Sequence, residues 1–140
     1  MATEAKIVLQ ADVRFEAHAE SGHTVIIDGP AEAGGKNAGF RPMELMLLGM
    51  AGCMALDVLL ILRRMRQSVH SYRVDVKADR AEDPPRVYTE AHLEHTLQGD
   101  GLEPSTIQRA IELAETKYCS GSAMFAKTAK ITNTFRIVSG

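Results

Sequence analysis

The stretch PMELMLLGMAGCMALDVLLILRRMR, residues 42–66, decides the fold. Pro42 suits the first turn of a helix, Glu44 follows within that turn, and Arg63, Arg64 and Arg66 close the run, so both ends complement a helix dipole. At 1.5 Å per residue, the helix predicted over 43–66 is about 36 Å long, more than a domain of this size readily encloses. Apolar residues lie on every side of it. A helix that is apolar all round has to be covered all round, and the strands of one small domain cover about one side. A second copy of the chain is therefore expected on the other. The apolar run 45–62 is barely long enough for a membrane span, includes Asp57, Gly49 and Gly52, and stands among amphipathic strands, so no membrane partner is expected.

Upstream of the helix, Ile7, Leu9, Ala11, Val13, Phe15 and Ala17 alternate with Lys6, Gln10, Asp12, Arg14, Glu16 and His18, the period of one or two half-buried strands. Ser21 and Gly22 then make a turn before the β-rich run Thr24, Val25, Ile26, Ile27, which Asp28, Gly29 and Pro30 end. Residues 31–40 hold three glycines and no periodicity, and read as a mobile surface loop. Downstream, Tyr72, Val74, Val76 and Ala78 alternate with charged residues. After a turn at 82–85, Val87, Thr89, Ala91, Leu93 and Leu97 alternate with Glu90, His92, Glu94, Thr96 and Gln98, giving a long hairpin. A second, amphipathic helix begins near Pro104 with an apolar stripe of Ile107, Ala110, Ile111, Ala114 and Tyr118. A short helical run over 122–129 and a closing strand around Ile131, Phe135 and Ile137 complete an α+β pattern.

A chain of 140 residues matches one domain, spanning 1–140. A formal charge of -2 offers no electrostatic reason to bind nucleic acid, so partners are expected to be small molecules or a second copy. Two cysteines are too few for a disulfide scaffold, and residues 1–10 lack the order of a signal peptide, which makes the cytoplasm the expected compartment. In a reducing compartment such a pair is more often redox-active or metal-binding than structural, and this directs attention to Cys53 and Cys119.

Cys53 lies too deep in the long helix for the N-terminal dipole to act on it, and left alone in apolar surroundings it would be an inert hydrophobe. Asp57, four residues on, shares its helical face, and an acid within an apolar run requires a cation or hydrogen-bond donors. Glu44 falls on nearly the opposite side of the helix from Cys53, facing toward a partner's site instead. Cys119 stands just before a short helix, whose free N–H groups favour a thiolate. No metal is expected: C-x-x-C is absent, and His92 and His95 point to opposite faces of a strand. Phosphate-cradling glycine motifs and the G-x-S-x-G elbow are missing as well, leaving thiol chemistry without a cofactor.

Pro42-Met43-Glu44-Leu45, Gly49-Met50-Ala51-Gly52-Cys53, Asp57-Val58 and Lys117-Tyr118-Cys119-Ser120, with the earlier Ser21-Gly22-His23 and Asp28-Gly29, resemble the OsmC/Ohr family, and most of all its YhfA-like branch. The resemblance runs in order over nearly the whole chain. It implies antiparallel sheets around a long central helix in an intertwined homodimer. It also implies reduction of organic hydroperoxides by a cysteine pair, with Cys53 peroxidatic, Cys119 resolving, and a cellular dithiol as reductant. Family peroxidases hold the thiolate with an arginine from the early hairpin and a glutamate directly after the helix-starting proline. Here Met43 occupies that position with Glu44 one residue later, and His23 stands where the arginine falls, with Arg14 and Arg41 nearby. The catalytic set so implied is Cys53, Cys119, Glu44, His23 and Arg41, the activating cation being left open. Met46, Leu47, Met50 and Met54 would give the pocket walls that favour hydrocarbon substrates. Two rival readings stand beside it: a dimer that binds an apolar small molecule without chemistry, and a dimer whose cysteines are only core residues.

Overall fold

In the computed structural model, which describes residues 1–139, the first alternating run breaks at Asp12. Asp12 takes φ 50°, a left-handed conformation that a short polar side chain tolerates, and so divides the run into β1 (Ala5–Ala11) and β2 (Arg14–Ala19). β3 (Thr24–Ile27) follows a turn in which Gly22 adopts φ 89°, and the three strands form an antiparallel meander in the order β1-β2-β3. β2 is half-buried as the pattern predicts. β1 is not: it is exposed along its length, with Ile7 and Leu9 at 60% and 58%.

The segment expected to be a mobile loop is tied down by the buried Asp28. The Asp28 carboxylate accepts N–H bonds from Gly29 at 2.8 Å and from Lys36 and Ala38 at 3.0 Å each, and Phe40 pairs through its backbone with Ile26 and Asp28. The N–H groups of Ala38 and Lys36 hold the Asp28 carboxyl below the usual carboxylate range, and the Arg41 charge adds to this. A β-carbon on Gly39 would stand 2.2 Å from the Ile26 carbonyl oxygen, so only glycine fits there. The aperiodic sequence is thus the trace of a segment organised by one side chain rather than by a repeating pattern.

The chain divides into two compact units, residues 1–48 and Gly49 onward, with the boundary inside α1 (Pro42–Arg64). α1 ends two residues before the predicted limit because Arg66 turns left-handed at φ 60° and the Gln67 N–H reaches back to the Leu62 carbonyl. By length and composition α1 would suffice to cross a membrane. Within the second unit, however, Met50, Met54, Val58, Ile61 and Leu62 are buried.

In that unit β4 (Ser68–Arg80) and β5 (Tyr88–Asp100) form the predicted long hairpin. β6 (Lys130–Ile137) joins the other edge of β5 in parallel, from Glu90↔Lys130 to Leu97↔Ile137. The sheet is therefore mixed, correcting the expectation of antiparallel sheets only: the helical stretch between β5 and β6 is long enough for a crossover, which parallel pairing requires. α2 (Pro104–Leu113) buries Ile107, Ala110 and Ile111 as its stripe predicts. Its last turn widens into a π-turn over Ala114–Tyr118, which shifts the helical phase and leaves Tyr118 47% exposed rather than on the stripe. The short helix α3 spans Ser120–Phe125, earlier than the run read from sequence.

Candidate functional site

The π-turn delivers Cys119 to the head of α3. The Cys119 N–H donates to the Ala114 carbonyl at 2.7 Å, its backbone leaves the helix at ψ 104°, and its Sγ accepts the Ser122 N–H at 3.3 Å as the N-cap of α3. Gly121 then lets this turn approach α1: a β-carbon there would lie 2.9 Å from the Met50 Cα and 3.3 Å from the Cys53 Cβ. The buried Ser122 hydroxyl donates to the Met54 sulfur at 3.7 Å, a second link to the same helix.

The two thiols meet here. Cys53 is half-buried and Cys119 is 3% exposed, and both are unbridged. The Cys53 thiol donates to Asp57 Oδ2 at 4.0 Å along the helix, and one donor atom from each of Cys53, Asp57 and Cys119 lies within 4.8 Å of the other two. Cys119 departs from its sequence-based expectation. Its thiol is pushed up, first by burial, which the hydrogen bonds to Ser122 only partly offset, and the neighbouring Cys53 raises it further. Desolvation of a nearly enclosed sulfur outweighs one turn of helix N–H groups.

The other residues implied by the resemblance belong to the first unit. His23 is exposed in the β2–β3 turn with its Nδ1 2.9 Å from the Ser21 hydroxyl. Arg41 donates to the Gly39 carbonyl at 3.1 Å, Arg14 is half-buried at the start of β2, and Glu44 is exposed in the first turn of α1. Sequence reasoning missed Gly121 and Ser122. The signal for Ser122 was present, since it stands three residues after a residue in N-cap position. The steric demand at Gly121 arises only against α1.

An α+β chain with a mixed sheet, a long apolar helix and two thiols converging from that helix and a later N-cap defines a class of thiol-bearing folds. The family model for OsmC-like protein matches residues 34–134. The chain belongs to the OsmC-like family. Protein YhfA of Escherichia coli K12 is 32% identical over 138 residues, covering 96% of this chain and 98% of that one. A solved structure from Aquifex aeolicus superposes with a TM-score of 0.87 at 25% identity, over 100% of this chain and 98% of that one. An organic hydroperoxide resistance protein OsmC from Legionella pneumophila gives a TM-score of 0.69 at 15% identity over 96% of each chain, a likeness of fold alone.

Proposed function

We propose that this protein reduces organic hydroperoxides with the Cys53–Cys119 pair, as a cofactor-free thiol peroxidase of oxidative-stress defence. The observation that carries the reading is the convergence of two sequence-distant thiols whose sulfurs lie within 4.8 Å of each other, near enough for side-chain movement to bring them together. Membership of a family that includes hydroperoxide-resistance proteins supports it. Cys53 gives its proton to Asp57, and the thiolate attacks the distal oxygen of the hydroperoxide. The O–O bond breaks, the alkoxide takes up a proton to leave as alcohol, and Cys53 becomes a sulfenic acid. The Cys119 thiol then condenses with it, forming the S–S bond and releasing water. A cellular dithiol restores both thiols by exchange. The nearly enclosed Cys119, whose thiol burial pushes up, suits the second, resolving step. The family likeness assigns the charge that holds the thiolate to His23, Arg41 or Arg14, with Glu44 facing the site of a second copy of the chain.

One equivalent of an alkyl hydroperoxide should consume both thiols and form an intrachain disulfide faster than hydrogen peroxide does. Cys119→Ser should instead accumulate a trappable sulfenic acid, and substituting His23, Arg14 and Arg41 singly should show which one slows the first step. Survival of both thiols in excess hydroperoxide would overturn the reading. The binding-protein alternative would then gain, and one observation favours it: a hollow of about 370 Å³ in the first unit lined by Ile7, Val13, Phe15, Ile27 and Pro42.

A further inference from the structure

We infer that the reduced Cys53–Asp57–Cys119 cluster is a binding site for one soft or borderline divalent cation, with Zn²⁺ and Cd²⁺ as the ions its donors select. Two thiols and a carboxylate form an S₂O donor set, which such ions prefer and Mg²⁺ or Ca²⁺ do not. Zn–S bonds of about 2.3 Å and Zn–O bonds of about 2.0–2.2 Å bring tetrahedral donors to roughly 3.4–3.8 Å from one another. The three atoms here already lie within 4.8 Å of one another, so a site of that size needs only a small approach of the donors.

Two further observations favour an ion. Asp57 sits half-buried in an apolar run, and its hydrogen bond is to the Cys53 thiol; among the described residues no ion pair joins a lysine or arginine to it. A single long thiol hydrogen bond is weak satisfaction for an acid in that setting, and a cation would complete it. In addition, the Ser122 N–H already donates to Cys119 Sγ at 3.3 Å, the kind of outer hydrogen bond that orients and stabilises a ligating thiolate. Histidines take no part: His92 is engaged by Thr132 and Thr134, and His95 by Tyr72 and Asn133. Binding exchanges charge for charge, since the divalent ion displaces one proton from each thiol and joins two thiolates and one carboxylate, leaving a fourth position for water. Because the ion and the disulfide need the same two sulfurs, each state excludes the other, and a bound ion would shield the pair from oxidation.

The test is titration of the reduced, full-length protein with Cd²⁺ and with Zn²⁺ under anaerobic conditions, without peroxide. The expected result is one ion per chain, the thiolate-to-cadmium charge-transfer band, and two protons released per ion. Cys53→Ser and Cys119→Ser should each remove the band's full intensity and weaken binding, and Asp57→Asn should cost about tenfold or more. Prior oxidation to the disulfide should abolish binding, while the circular dichroism and urea midpoint of each variant would report whether it still folds. Absence of stoichiometric binding, or Cys119→Ser or Asp57→Asn binding as tightly as the unsubstituted protein, would overturn the three-donor site. The inference does not rest on peroxide chemistry, so thiols that survive hydroperoxide yet bind the ion would sink the peroxidase reading and leave this one standing.

Discussion

A β-carbon at position 121 would press on the Met50 Cα at 2.9 Å, a main-chain atom that cannot rotate away. Helix propensity favours alanine over glycine by at most about 1 kcal/mol, whereas forcing an extra carbon into a filled space costs about 1–3 kcal/mol, so Gly121→Ala should be a net loss. The same push moves the Cys119 turn off α1. Gly121→Ala should therefore lower the denaturant midpoint and slow closure of the Cys53–Cys119 disulfide more than it slows alkylation of Cys53 alone. Equal effects on both rates would mean that Gly121 does not set the thiol spacing. At this scale the sequence was half legible. The cysteines and Asp57 stand out by chemistry, but the need for glycine at 121 comes from a helix far away in the chain.

Within the β4–β5–β6 sheet, the buried His95 is stacked on Tyr72, takes its hydroxyl at 2.6 Å on Nδ1, and bonds Asn133 Oδ1 at 2.8 Å through Nε2. Burial holds His95 neutral, below the ordinary histidine range, and raises the Tyr72 phenol. The linkage follows from these directions. As pH falls below about 6.5 the unfolded chain binds a proton at this histidine before the folded one does, so the contribution is complete above that pH and declines below it. Urea midpoints should fall between about pH 7.5 and about pH 5.5, and His95→Leu should flatten that slope. The carboxyls held low, Asp28 and Asp75, act only in the more acidic carboxylate range and do not confuse the test. Tyr72→Phe leaves Nδ1 buried without its donor and should cost about 1–3 kcal/mol. An unchanged midpoint would mean that water replaces the hydroxyl. Alternation marked β5 as a strand, but the partners of His95 lie on two other strands.

Along α1, Gly49, Gly52, Leu56 and Leu60 recur at helical spacing; added β-carbons on both glycines would meet open space, and Leu56 and Leu60 are 58% and 41% exposed. We propose that a second copy of the chain covers this face, small residues allowing close approach and leucines supplying buried area. The mass in solution should then be near twice 15.3 kDa and hold at micromolar concentration, and Leu56→Glu should drive the protein toward monomer. A folded monomer of the unsubstituted chain would remove the argument. Because α1 also meets the length rule for a membrane span, the protein should be recovered in the soluble fraction without detergent, and recovery only from membranes would overturn the dimer reading.

The amino-acid sequence by itself determined the elements: the long helix from Pro42, the half-buried face of Tyr72, Val74, Val76 and Ala78, the hairpin after it, and the buried stripe of α2. These follow from periodicity between neighbours in the chain, where sterics and side-chain direction act over a few residues. Tertiary structure alone decided that β6 runs parallel to β5, that Tyr118 leaves its stripe, that Asp28 organises its loop, and that Cys53, Asp57 and Cys119 converge. Each of these depends on which distant segments pack together. That choice is made by burial summed over the whole unit, so no local pattern encodes it.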